Sequence, residues 1–449
     1  MKYHFIGIGG IGMSSLALHL AAEGHGICGS NYEENERVEY LRENNIQIFI
    51  GHSPQNVSNP DMVVRTTAVS KNNPELIAAV KGGIPILYRM ELLKKVLSEK
   101  ESICVTGTDG KTTSTAMLSK IFIDAKKDPT VFLGGKVPFL EHANYRRGGD
   151  ISITELDESD GFFASFKVDH ALITNVRFDH LEHYNNNHEN FLDHMLLFAK
   201  GVSGELVYNH DDDVLRMLFS GRRYISFGKH GGDYRFKRLS IERLKQTFEV
   251  FEAEKSLGVF ELNTPGEYNI YNALGAIAMA RQFGISPEII RYSLANYVSA
   301  DRRFTIRGYN EEKDLYLVDD YAHTPDEIRN TIKGAREAFP DRKLAIVFQP
   351  HRYSRLAREN GRFAASLKDA DEVCVFKLYD AYEKGSSALS ETEVLNGLKK
   401  HNVPSRHYVD YHEVLEWVEE QKKAVILFLG AGDITELSRL SAFKVNSAR

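Results

Sequence analysis

Short apolar runs alternate with amphipathic stretches along most of the chain. Lys2–Ile6 is a short strand, and Gly12–Ala22 carries helical periodicity. Ile27–Gly29, Ile46–Ile50 and Met62–Thr66 are further strand-like runs. Such alternation predicts a parallel sheet with helices on its faces. Glu91–Lys100 is polar and mostly helical, and reads as a linker. A second αβ unit opens with Ser102–Thr106 and runs to about Ala300, with Ile151–Thr154, Ala171–Thr174 and Glu205–Asn209 as later strands. Residues 234–262 alternate as antiparallel strands do, and Asn272–Phe283 is an alanine-rich helix. A third unit follows near Asp301, with strands at Leu315–Asp319, Leu344–Phe348, Glu372–Phe376 and Ala424–Leu429. The expected architecture is therefore α/β in three domains, 1–99, 100–300 and 301–449. A length of 449 residues agrees with that at roughly 150 residues per domain.

Composition narrows the class. A net charge of -6 argues against a nucleic-acid binder, which would carry a basic excess. No apolar run approaches the ~18 residues of a membrane span, and the first residues lack the pattern of a signal peptide. Three widely spaced cysteines, Cys28, Cys104 and Cys374, read as buried reduced thiols of a cytoplasmic protein.

Two glycine turns carry the first chemical signals. Gly7-Ile8-Gly9-Gly10-Ile11-Gly12 fits G-x-G-x-x-G between a strand and a helix, where backbone and helix N-terminus can approach a pyrophosphate. NAD would need a carboxylate at the end of the second strand, but Ser30-Asn31 stands there, so another diphosphate nucleotide is favoured. Gly107-Thr108-Asp109-Gly110-Lys111-Thr112-Thr113 follows a second strand and precedes a helix. Its amides can cradle phosphates, Lys111 can meet the β- and γ-phosphates, and Thr112 can offer a hydroxyl to Mg²⁺. Asp109 is out of character there, since a carboxylate repels a triphosphate unless it points away or meets a cation.

Acidic and histidine residues follow two further strands. Glu155-Leu156-Asp157-Glu158-Ser159-Asp160 comes after Ile151–Thr154, and Asp179-His180-Leu181-Glu182-His183 comes after Ala171–Asn175. An α/β sheet places its ligands at the carboxyl ends of strands. Glu155 suits Mg²⁺, a hard cation that prefers oxygen donors. A solvated acidic turn remains an alternative for the first run, and a structural histidine for the second.

Together with these motifs, Asn269-Ile270-Tyr271-Asn272-Ala273, Asp319-Asp320-Tyr321-Ala322-His323-Thr324-Pro325, Phe348-Gln349-Pro350-His351-Arg352-Tyr353-Ser354-Arg355 and Gly430-Ala431-Gly432-Asp433-Ile434 resemble the Mur ligase family of cell-wall amino-acid ligases. Asp109, Tyr268, Ala322 and Thr324 stand where other residues are usual in that pattern.

The resemblance implies a Rossmann-like UDP-sugar domain, a central P-loop ATPase-like domain and a Rossmann-like C-terminal domain. It implies ATP and Mg²⁺, with UDP-N-acetylmuramate and L-alanine as substrates. The carboxylate would be phosphorylated by ATP, and the amine would then attack the acyl phosphate. ATP would contact Gly107, Thr108, Asp109, Gly110, Lys111, Thr112, Thr113, Asn269, Arg303 and Asp320. Thr112, Glu155 and His180 would hold magnesium. Gly9, Gly10, Ile11, Gly12, Met13, Ser14, Ser30, Asn31, His52, Thr67 and Arg89 would meet the UDP-sugar, with Glu158 and Ser159 also on the substrate side. Tyr321, His323, His351, Arg352 and Arg355 would form the alanine and phosphate side, and Lys111, His180, His323, Arg352 and Arg355 would be catalytic. Arginine suits the alanine carboxylate because its planar fork binds bidentately. An α-amino group titrating near ~8 is only about a tenth neutral at pH 7, so a base helps, and His323 is the candidate. The nearest rival is a recycling ligase of the same family that attaches a peptide. A nucleotide-sensing module would need neither Lys111 nor the His/Arg cluster, and a dehydrogenase is disfavoured by Ser30-Asn31.

Overall fold

A computed structural model describes residues 1–178, 181–359, 361–380, 383 and 390–447, without the side chains of 160, 182 and 445–447. Among the described residues lie three α/β sheets, and the chain divides into two compact units. One unit holds residues 1–236, 250–258 and 271–294, and the other holds 237–249, 259–270 and 295–449.

The first sheet has strands β1 (Lys2–Ile6), β2 (Gly26–Asn31), β3 (Gln47–Ile50), β4 (Met62–Arg65) and β5 (Ile86–Tyr88) in the order β3-β2-β1-β4-β5, all parallel. The order reverses at β1, which opens a crevice beyond its carboxyl end, where the first glycine turn stands. The segment expected to be a linker is instead a packed helix, Arg89–Leu97. Its Met90, Leu92, Leu93, Val96 and Leu97 form a buried stripe at helical spacing, which the charged residues between them masked in the sequence.

The second sheet comprises β6 (Glu101–Thr106), β7 (Thr130–Phe132), β8 (Tyr145–Arg146), β9 (Ile151–Glu155), β10 (His170–Ile173), β11 (Leu206–Asn209), β12 (Ile225–Gly228), β13 (Tyr234–Glu242), β14 (Lys245–Glu252) and β15 (Lys255–Leu262). Its order is β15-β14-β13-β12-β11-β10-β6-β9-β7-β8. Here β6 lies between β10 and β9, both parallel to it, with Val105 level with Glu155 and Thr106 level with Ile173. That register carries Glu155 and the Thr174-Asn175 pair to the two flanks of the second glycine turn.

The third sheet has β16 (Thr305–Asn310), β17 (Leu315–Asp320), β18 (Lys343–Phe348), β19 (Glu372–Phe376), β20 (Ser405–Tyr408) and β21 (Ala424–Leu429) in the order β16-β17-β21-β18-β19-β20. Only β16 is antiparallel to its neighbour. Alternate residues supply two cores. Val318, Ile346, Phe348, Val373 and Leu427 face one layer, and Leu317, Ala345, Val347, Cys374, Ile426 and Phe428 face the other. Asp320, Phe348 and Leu429 lie level, so the three motifs that follow them emerge side by side.

Sequence and structure differ at small points. The edge strands β16 and β20 carry charges that hide their periodicity, and the alanine-rich helix begins at Glu267 rather than Asn272. Cys104 and Cys374 are buried as expected, but Cys28 is only half-buried, with its sulfur 3.3 Å from His4 Nδ1. No helix among the described residues is long and apolar enough to cross a membrane.

Candidate active site

The second glycine turn is a compact anion cradle. Gly107 and Gly110 have φ of +122° and +80°, which side chains with a Cβ adopt poorly. A Cβ on Gly107 would strike Thr174, and one on Gly110 would strike Asn272. Asn175 clamps the turn from β10, accepting from Asp109 N at 2.9 Å and donating to Asp109 O at 2.8 Å. The helix Lys111–Asp124 begins at once, so its first N–H groups face the turn.

Charge is arranged around Lys111. Its ammonium donates to Gly107 O at 2.7 Å and Glu158 Oε2 at 2.7 Å, with Asp157 Oδ1 at 3.7 Å. Burial works against the charged lysine, but Glu158, Asp157 and Glu155 outweigh it, and its pKa is raised. Glu158 is buried, and its carbonyl accepts from the Tyr184 hydroxyl. Thr112 Oγ1 donates to Glu155 Oε2 at 2.8 Å. A hydroxyl and a carboxylate at the mouth of a phosphate turn are hard oxygen donors, so this pair fits Mg²⁺. Thr113 is buried, and Ser159 lies within the acidic run's short helix Glu158–Asp160, its N–H donating to Asp157 Oδ1 at 3.2 Å. His180 and Asp179 lie outside the described residues.

The puzzle of Asp109 has an answer. Arg177 Nε lies 3.8 Å from its Oδ2, and the same guanidinium lies 3.8 Å from Asp212. Thr108 Oγ1 accepts from Arg177 N at 2.8 Å, which ties the two segments together. Sequence reasoning missed Thr174, Asn175, Arg177 and Asn272 as parts of this site. Asn272 was visible in its motif, yet Asn269 took the role. Asn269 is in fact buried, with Nδ2 donating to Pro265 O at 2.7 Å, so this end of its amide closes the start of the helix Glu267–Gln282.

At the first glycine turn, Gly7 N and Ile8 N both donate to Ser30 O, and Gly9 N donates to Asn31 Oδ1 at 3.2 Å. A Cβ at Gly9 would meet Asn31, and one at Gly12 would meet Arg89, so both glycines permit close packing. Met13 N and Ser14 N are engaged by Gly10 O, which leaves the Ile11 and Gly12 amides as first-turn donors. Met13 and Ser14 side chains are buried, and Ser30 is wholly buried with its hydroxyl donated to Glu75 Oε2 at 2.6 Å. These three therefore shape the crevice rather than line it. Asn31, His52 and Arg89 are half-buried and Thr67 is exposed. Glu75 was missed; Asn73-Pro74, which caps the helix Pro74–Lys81, was the local signal for it.

The other unit holds a separate cluster. Both His323 Nδ1 contacts are acceptors, Tyr321 O at 2.9 Å and Glu327 Oε2 at 3.2 Å, so the ring proton sits on Nδ1 and Nε2 keeps a lone pair. Burial, with Arg355 nearby, lowers the His323 pKa to about 4, and burial with Arg355 lowers that of His351 to about 3. Both rings are neutral near pH 7. The His323 and His351 centroids lie 6.0 Å apart, and Arg355 Nη1 lies 3.3 Å from His351 Nδ1. Arg355 is buried, not solvated, whereas Arg352 is exposed and held at φ +67°. Thr324 and Glu327 form a capping box for the helix Pro325–Ala338, so the T-x-x-E signature explains both the unusual threonine and the missed Glu327.

Arg302 and Arg303 lie over the Tyr321 ring at 4.8 and 5.3 Å. Asp320, expected at the nucleotide, is buried, and its carboxylate accepts from Phe304 N at 2.8 Å and Ala322 N at 2.9 Å. Burial lifts its pKa to about 6. It holds the loop that presents Tyr321 and His323.

Comparison with known proteins places these sites in a lineage. Residues 2–101 match the profile "Mur ligase family, catalytic domain", residues 105–280 "Mur ligase middle domain", and residues 302–432 "Mur ligase, glutamate ligase domain". The chain is 39% identical over 451 residues to a UDP-N-acetylmuramate–L-alanine ligase of Thermotoga maritima, covering 100% of this chain and 98% of that one. A crystal structure of a UDP-N-acetylmuramate–alanine ligase from Thermotoga maritima superposes with a TM-score of 0.90 at 37% identity, covering both chains fully. A murein peptide ligase from Psychrobacter arcticus shares the fold, with a TM-score of 0.71 at 20% identity over 98% of each chain.

Proposed function

This chain belongs to the Mur ligase family, and from that premise we infer that it joins L-alanine to the carboxylate of UDP-N-acetylmuramate in peptidoglycan precursor synthesis. Domains 1–99, 100–300 and 301–449 serve the UDP-sugar, ATP and the amino acid in turn. The observation that carries the reading is the cradle at 107–113, where Lys111, Thr112 and two facing carboxylates are assembled for a metal-bearing triphosphate. Full-length identity to alanine ligases favours this acceptor over a peptide, since the likeness to the peptide ligase extends to the fold alone.

The chemistry has two displacements. The muramyl carboxylate attacks the γ-phosphoryl of ATP, and ADP leaves. The amine of L-alanine attacks the acyl phosphate, a proton departs, and inorganic phosphate leaves the tetrahedral intermediate. Lys111 and the turn amides orient the β- and γ-phosphates, because phosphoryl transfer depends mainly on positioning and charge stabilisation. Thr112 and Glu155 would hold Mg²⁺, with His180 at a second ion; bound metal supplies neutralisation of the phosphate charge. His323 Nε2 accepts the amine proton as the C–N bond forms. Arg355 and Arg352 receive the alanine carboxylate, with His351 holding Arg355 in place.

An amine panel tests the substrate assignment. With UDP-N-acetylmuramate and ATP present, L-alanine should support ADP formation far better than glycine, L-serine or an alanyl tripeptide. Preference for the tripeptide would overturn the choice of acceptor, and ADP formation independent of any amine would overturn the ligase reading.

A further inference from the structure

Beneath the first glycine turn lies a buried polar network that the mechanism does not use. Glu75 is wholly buried, and five groups converge on its carboxylate. Oε2 meets His4 Nε2 at 3.1 Å and the Ser30 hydroxyl at 2.6 Å. Oε1 meets Asn56 Nδ2 at 2.6 Å, Ser53 N at 3.3 Å and His52 Nδ1 at 3.6 Å. Strands β1 and β2 and the turn 51–56 are thereby tied to the start of one helix.

Cys28 Sγ lies 3.6 Å from Tyr3 O and 3.3 Å from His4 Nδ1, and His4 Nε2 donates to Glu75 Oε2 at 3.1 Å. A buried carboxylate on one ring nitrogen and a sulfur on the other favour the charged imidazolium form of His4. Burial opposes that charge, but Cys28 and Glu75 outweigh it and raise the pKa to about 9. Glu75 is its buried counter-ion. The Ser30 hydroxyl gives its proton to Glu75, so its oxygen must accept from His52 Nδ1 at 3.1 Å. His52 Nδ1 is thus the donor of that bond, and Nε2 is the ring nitrogen that this network does not engage. Unlike His4, the His52 ring is partly exposed, at 21%. The Ser30 carbonyl meanwhile anchors Gly7 N and Ile8 N, so the same residue braces the glycine turn and the histidine.

We propose that Glu75 is a positioning residue for the first substrate: acting through Ser30, it fixes His52 in the tautomer whose Nε2 accepts a hydrogen bond from a donor on the nucleotide of UDP-N-acetylmuramate. A neutral uridine offers such donors at its ring N–H and ribose hydroxyls. This rests on the assignment of the first domain to the UDP-sugar. A carboxylate that orients a histidine through an intervening group sets which nitrogen is free, as outer-sphere partners do for histidine ligands elsewhere.

The test uses the full-length enzyme, calorimetric titration with UDP, and steady-state kinetics. Ser30→Ala and His52→Ala should each weaken UDP about tenfold, or ~1.4 kcal/mol. KM for UDP-N-acetylmuramate should rise far more than kcat falls, and KM for ATP should not move. The double variant should bind UDP no worse than His52→Ala alone, because both changes act through one contact; a merely structural loss would add. Glu75→Gln should reproduce the effect of Ser30→Ala, and if that variant fails to fold, the two single variants and their double decide the matter. UDP binding by Ser30→Ala equal to the wild type, or additive losses in the double, would overturn the proposal. Wild-type protein that binds no UDP would instead sink the assignment of the domain.

Discussion

The turns at Gly7–Gly12 and Gly107–Lys111 each leave a parallel strand at a topological switch point and enter a helix, yet they are charged quite differently. The first presents amides from Ile11 and Gly12, with the Arg89 guanidinium against Gly12. Among the described residues no carboxylate rings that cation as at the second turn, and the ionic pair of this region, His4 with Glu75, is wholly buried beneath it. The second places Lys111 among Glu158, Asp157 and Glu155 at its mouth. A diphosphate that must only be held can rest on amides and a helix end. A triphosphate whose terminal phosphoryl must leave needs cations at the developing charge, and carboxylates to keep those cations in place before the ligand arrives. The first turn is built for recognition and the second for reaction.

The largest expected break comes at Lys111. Lys111→Ala should lower the ADP-forming rate by about 10³-fold or more, as loss of a cation at the transferring phosphoryl does elsewhere. It also leaves Glu158 buried without its partner, so unfolding should show a stability loss of up to ~3–5 kcal/mol. Adding Glu158→Gln should restore much of that stability while turnover stays lost. Recovery of turnover in the double variant would show that the lysine serves only to neutralise Glu158.

Next is the amine side. His323→Ala should reduce kcat about 10²-fold with little change in KM for ATP, as loss of a general base does. Because the His323 pKa is lowered to about 4, the ring is neutral and able to accept a proton at any pH above that value. The acid limb of kcat/KM for L-alanine that belongs to this group should therefore lie near pH 4. A limb near 6.5 that vanishes in His323→Ala would contradict the burial argument.

The pair beneath the first turn should show in stability. His4 has a folded pKa of about 9, above its ordinary 6.5, so its contribution is fully present below pH 6.5 and is lost as pH rises through 9. Denaturant titrations should show up to about 3 kcal/mol lost between those values, and His4→Gln should flatten that slope. An unchanged slope in His4→Gln would remove the buried imidazolium.

The smallest effect separates the glycines. Gly7 has φ +80° with open space at its Cβ position, so Gly7→Ala should cost ~1–2 kcal/mol of stability and little UDP affinity. Gly110→Ala would push Asn272 aside and should lose ATP affinity measurably in an equilibrium binding assay. Equal losses in both would erase the distinction.

The sequence revealed strands with unbroken apolar runs and turns that need glycine, because those features are local. Both glycine turns, the cradle residues Lys111 and Thr112, and the three C-terminal motifs were legible for that reason. What register alone decides was not. Nothing near Asn175 or Asn272 in sequence announces that they close on Gly107 and Gly110, since parallel pairing of β10 with β6 and the course of a distant helix bring them there. The resemblance puts Asp320 at the nucleotide and Ser30 at the UDP-sugar, yet both side chains are buried, which no local pattern around them announces. Glu75 was hidden because a lone glutamate in a helix ordinarily faces water.

One measurement bears most directly on ligation through an acyl phosphate formed at the Lys111 cradle. UDP-N-acetylmuramate labelled with ¹⁸O in its carboxylate would be turned over with ATP and L-alanine, and the released phosphate analysed by mass. One ¹⁸O should pass from the carboxylate into each phosphate. Phosphate that emerges unlabelled while the amide forms would contradict it.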